Sequence, residues 1–81
     1  PMTRYSVDQT DPGYNAWVAL PPDKRRALRI TLNGIPQKFV TMADDMRGEL
    51  RRLRLTTSGS MVIVNDSVSI ETCYGKVRFS E

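Results

Sequence analysis

A chain of 81 residues with 40% hydrophobic content has room for one domain and one core, near the size at which a core alone gives modest stability and dimerisation helps. Cys73 is the only cysteine and histidine is absent, which excludes an intramolecular disulfide, leaves too few soft ligands for structural zinc, and removes the commonest general base and pH switch. The net charge of +3 is unevenly spread: Lys24 to Arg54 holds nine basic residues against three acidic ones, and the remainder three against six.

Pro1 stands before Met2 and reads as the remnant of an expression tag. Residues 1–22, including "TRYSVDQTDPGYNAWVALPP", offer a turn at "DPG" and no sustained period, so they read as an N-terminal arm and lead-in. Trp17, Val18 and Leu20 are its expected anchors, tryptophan having the largest apolar surface of any side chain. Residues 23–81 read as a single small β-rich domain. At its entrance Pro21 and Pro22 precede an acid and then Lys24, Arg25 and Arg26, a pattern that predicts one or two turns of helix.

From Ala27 the pattern changes to alternation, with Leu28, Ile30 and Leu32 set against Arg29 and Thr31. Asn33-Gly34 then predicts a two-residue hairpin that pairs Leu32 with Ile35, Ile30 with Gln37 and Leu28 with Phe39. Pro36 cannot donate to a ladder and pushes its strand toward an edge.

The stretch Met42 to Thr57 is ambiguous. As a helix it aligns Met42, Met46, Leu50 and Leu53, with Thr41 as N-cap, although Gly48 falls in the middle at a cost of about 1 kcal/mol. As strands it turns at "ADDMRG" and returns from Glu49 to Thr57, with Leu53, Leu55 and Thr57 pointing one way and Arg52, Arg54 and Thr56 the other. The neighbouring segments favour strands: "MVIV", the alternation of "VSIETC", and "GKVRF" with Val77 and Phe79 against Lys76 and Arg78. Turn signals recur through Ser58-Gly59, Asn65-Asp66 and Tyr74-Gly75. The expected fold class is therefore mainly β, a small antiparallel sheet or barrel-like domain with a short N-terminal helix. The alternative is α+β, with a helix at 42–55.

The "VD..DPGY" opening, "LPP" before a basic turn, a strand ending "LNG", then "VTMAD" and the closing "GKVRF" cover most of the chain. Together they resemble small proteins encoded in tailed phages and prophages of proteobacteria, a miscellany without one shared activity. The resemblance implies a setting in the bacterial cytoplasm or the virion, and continuation of the segment after "AD" as a strand. The cationic "RRLR" departs from it.

No P-loop, GxGxxG, EF-hand spacing or paired CxxC is present, and Asp44-Asp45 with Glu49 reads as a solvated turn. No catalytic residue, metal ligand or cofactor is expected. No apolar run approaches the about 18 residues of a membrane span. The expected activity is that of a non-enzymatic interaction protein, with a protein partner (a further copy, or a host or phage protein) met through Arg25, Arg26, Arg29, Arg51, Arg52 and Arg54 together with Trp17 and Tyr14. The competing expectation is a basic nucleic-acid-binding module whose arginines share one strand face.

Overall fold

The structure is a computed structural model that describes residues 3–81. Along the chain run β1 (Arg4–Ser6), α1 (Tyr14–Ala19), α2 (Pro22–Ala27), β2 (Arg29–Leu32), β3 (Ile35–Pro36), β4 (Val40–Asp44), β5 (Glu49–Leu53), β6 (Ile63–Val64), β7 (Ser67–Val68), β8 (Ile70–Tyr74) and β9 (Val77–Ser80). They form antiparallel sheets ordered β1-β4-β5-β8 and β3-β2-β9, with β6 and β7 as a separate hairpin. The sheets are open, so the fold is mainly β without closing into a barrel.

Asn33 and Gly34 take the positive φ values that a tight hairpin needs, 52° and 83°. Leu32 pairs with Ile35 as expected, and Gln37 donates its amide to the Ile30 carbonyl. The ladder stops before Leu28 meets Phe39. Phe39 itself sits at φ 57°, turning the chain into the other sheet, where its carbonyl accepts from Leu53. Pro36 lies on the outer strand of its sheet, where a missing donor costs no ladder bond.

The segment 42–55 is not helical. β4 runs to Asp44, four residues turn, and β5 pairs back with Ala43 opposite Leu50 and Asp44 opposite Glu49. Asp44 holds this turn, its carboxylate accepting the amides of Met46 and Arg47. A register shift between Val40 and Met42 lets Val40 and Ala43, three apart, both pack on the core.

That core is small. Ala43, Leu50 and Val77 are its buried centre, with Ile30, Leu32, Val40 and Phe79 packed around them. Tyr5 stands edge-on to both Phe79 and Trp17, which extends the apolar contact toward α1.

Residues 3–22, expected as an arm and lead-in, are built into the fold instead. β1 is an outer strand paired with β4. The helix α1 was not anticipated, because its six residues are too few to show a period. The loop before it is clamped by Arg4, which donates two bonds to the Asp11 carboxylate (2.8 and 2.7 Å) and one to Asp44 (3.0 Å). Pro21 then starts a second helix, as the sequence predicts: α2 begins at Pro22, with Asp23 in its first turn and Lys24, Arg25 and Arg26 in its last.

Gly48 has φ 62°, and a Cβ there would overlap the Gly75 carbonyl oxygen, so Gly48→Ala should cost at least about 2 kcal/mol in a urea titration. Hydrogen bonds from Arg4 hold the Asp11 carboxyl below its ordinary 3.8, at about 2. The stability this contributes is complete above the ordinary value and disappears as pH falls through about 2. Arg4→Ala should therefore lower stability by about 3 kcal/mol at neutral pH, with the deficit shrinking in acid. Urea midpoints at both pH values check this.

Candidate interaction surface

Alternation along paired strands sorts the side chains of the four-stranded sheet into two faces. Tyr5, Ala43, Leu50 and Cys73 lie opposite one another on the core face, and Arg4, Asp44, Glu49 and Tyr74 on the outer face. Adjacent arginines in β5 therefore part. Arg51 points outward, 3.6 Å from Glu49, and its charge reaches Asp8 and Asp11 of the loop before α1. Arg52 lies on the core face at its rim, bonded to Glu71 (3.0 Å) and to Gln37.

The remaining expected residues are also dispersed. Arg25 and Arg26 belong to α2, where the Arg25 guanidinium sits 5.9 Å from the centre of the Trp17 ring and both line a shallow cleft with Trp17 and Pro22. Tyr14 lies three residues before Trp17, on the same helix and half-buried. Arg29 is exposed at the start of β2, opposite Ser80, and Arg54 is exposed just beyond β5. The structure thus brings Trp17, Arg25 and Arg26 together and does not gather the six arginines on one face.

Two strand edges were not singled out by the sequence. Among the described residues β8 pairs only with β5 and β9 only with β2, so each has a side without a strand neighbour there. On β8 the faces run opposite to the apolar pattern: Ile70, Thr72 and Tyr74 are exposed, whereas Glu71 and Cys73 are half-buried. The outer face carries on past the sheet. Leu55 bridges Met61, Ile63 pairs with Val68, and these four are exposed along with Ile70. Such an apolar run, with Glu49 and Arg51 on its polar flank, is the kind of patch by which proteins meet other chains. The sequence signal was the alternation of "VSIETC", read without knowing which strand lay at an edge.

No metal-ligating cluster of three His, Cys, Asp or Glu occurs among the described residues, and none of their helices is long and apolar enough to cross a membrane. The carboxylates with depressed titration have structural bonds that explain them. Burial would raise Asp44, but the Arg47 amide, Arg4 and the Met46 amide together lower it. Asp8 is lowered by the backbone and side chain of Thr10.

Removing the guanidinium that lies over Trp17 should expose the indole. Arg25→Ala is expected to shift tryptophan emission to longer wavelength while costing less than about 1 kcal/mol in stability, measured by fluorescence and thermal melting. In comparisons with family models, with curated proteins and with solved structures, the chain matches none.

Proposed function

We propose that the protein is a non-enzymatic assembly protein of phage or prophage origin, which joins a second copy of itself through strand β8. The observation that supports this reading is the unpaired edge of β8 lying beside an exposed apolar face. Arg54 donates to the Ser69 carbonyl and Gly75 to the Gly48 carbonyl, so by alternation the residues between them that bond toward β5 are Glu71 and Cys73. The main-chain groups of Ile70, Thr72 and Tyr74 then point away from the sheet, with no backbone partner among the described residues.

Such an edge is self-complementary. With a two-fold axis at Thr72, an antiparallel second β8 sets Thr72 opposite its own copy and Ile70 opposite Tyr74, so that every outward amide and carbonyl of the three residues finds a partner. Ile70 and Tyr74, 53% and 71% exposed, would then meet on the outer face. Glu71 would face Cys73, and no like charges oppose one another. The joined sheets place the two apolar outer faces side by side. The non-catalytic reading is supported by the carboxylates, since Asp11 and Asp44 are engaged in holding Arg4. Phosphate binding by an arginine face has less support, because Arg51 and Arg52 lie on opposite faces and each has a carboxylate beside it.

The test uses the direction of the Thr72 amide. A proline at a free-edge position removes no bond to β5, so Thr72→Pro is expected to leave the monomer folded while light scattering falls from twice the chain mass to the chain mass. Thr72→Cys in a Cys73→Ser background should form an intermolecular disulfide on mild oxidation, since directly paired residues lie about 5.5 Å apart. A wild-type chain that stays monomeric at every concentration, or a Thr72→Pro variant of unchanged mass, refutes the pairing.

A further inference from the structure

The open edge of β9 differs from that of β8 in its charge. Asn33 donates to the Lys76 carbonyl, and Thr31 pairs with Arg78 two residues further on. Alternation therefore turns the main-chain groups of Val77 and Phe79 away from β2. They face an open groove of ≈ 1060 Å³ whose opposite wall is Thr3, Asp45 and Met46. That volume slightly exceeds the range of small-ligand pockets, about 300–1,000 Å³, and the groove is open to solvent rather than closed.

We propose that this groove binds an extended peptide segment in which acidic and apolar residues alternate, added as a strand to the free edge of β9. Three features select that chemistry. The outward amides and carbonyls of Val77 and Phe79 are the ladder that a strand requires. Lys76 and Arg78 are exposed on the outer side of the edge and have no carboxylate within ion-pair distance among the described residues, and Arg78 lies diagonally across the ladder from Arg29, which is equally unpaired among them. Every second residue of an added strand would meet these cations, which favours glutamate or aspartate there.

The intervening residues would point to the core side, where Val77 is buried and Phe79 half-buried, which favours apolar side chains. Asp45 is the one acid in the groove wall, and its carboxylate already accepts the Thr3 amide at 2.8 Å. Main-chain pairing together with charge alternation separates this site from a general polyanion surface. It shares no residue with β8, so either edge can fail without the other.

The probe is a fluorescein-labelled heptapeptide of alternating glutamate and valine with blocked ends, titrated by anisotropy at two salt concentrations. The protein is the wild type and, to keep the β8 edge out of the measurement, Thr72→Pro. Binding is expected to weaken with salt, to shift the amide resonances of Val77 and Phe79, and to fall about tenfold or more in Arg78→Glu. The same peptide N-methylated at every second residue on its pairing side should lose binding, because it keeps the charge but not the donors. Equal binding of the N-methylated peptide, or displacement by an oligothymidylate of equal charge, would make the site a plain polyanion surface and overturn the proposal. Absence of binding at low salt would overturn it as well.

Discussion

Three turns nested against one another hold the two sheets in place. Gly48, in the turn between β4 and β5, accepts the Gly75 amide at 2.9 Å. Gly75, between β8 and β9, lies so close to the side chain of Asn33 that a Cβ would come within 2.7–3.0 Å of its amide atoms. Asn33, in the hairpin of the other sheet, closes the set, as its Oδ1 accepts the Lys76 amide and its own amide donates to the Lys76 carbonyl, both at 2.8 Å. The chain passes from the four-stranded sheet to the three-stranded one at this point. With few buried apolar side chains, Met42, Ala43, Leu50 and Val77 among the described residues, the relative placement of the sheets depends on these backbone contacts as much as on apolar burial.

A small core has a second consequence. Little apolar surface is enclosed, so much of it remains outside: Ile63 and Tyr74 are 57% and 71% exposed. Part of that exposure, Ile70 and Tyr74 of β8 with Leu55, Met61, Ile63 and Val68, adjoins the polar pair Glu49 and Arg51, whereas Ile35, Phe39 and Met46 are exposed elsewhere. Charge is distributed by the same geometry. Arg4, Arg51 and Arg52 lie near carboxylates within the fold, whereas Lys76 and Arg78 line an edge. The edges of β8 and β9 therefore present different chemistry, the first apolar and the second cationic, and that difference makes separate partners a physical expectation.

Local chemistry made much of the fold legible. Asn33-Gly34 marks its hairpin because only a few residues accept positive φ in sequence. Pro22 marks the start of α2 because it lacks only an amide that a first turn leaves unbonded. Strands rather than a helix form over 42–57, as the neighbouring segments favoured, since Gly48 is needed at positive φ and Met46 is 70% exposed, but β5 ends at Leu53 and not at Thr57, leaving Leu55 only an isolated bridge to Met61. What local pattern missed was α1, a six-residue helix stabilised by its packing on β1 and by the Asp11 loop. The interaction surface was less legible. Of the expected residues, Trp17, Arg25 and Arg26 come together, but consecutive arginines in a strand must point to opposite faces.

The mainly β class, the turns, the alternation within strands and the lack of histidine or paired cysteines are legible residue by residue. These are properties of single residues and their near neighbours, and each is set by backbone sterics or side-chain chemistry within a few positions. Which strands lie at edges, which face of β5 and β8 meets the core, and which cations lie near carboxylates are set by the folded arrangement. Those depend on strand order, and strand order comes from contacts between residues as far apart as Asn33 and Gly75, whose pairing no local pattern encodes.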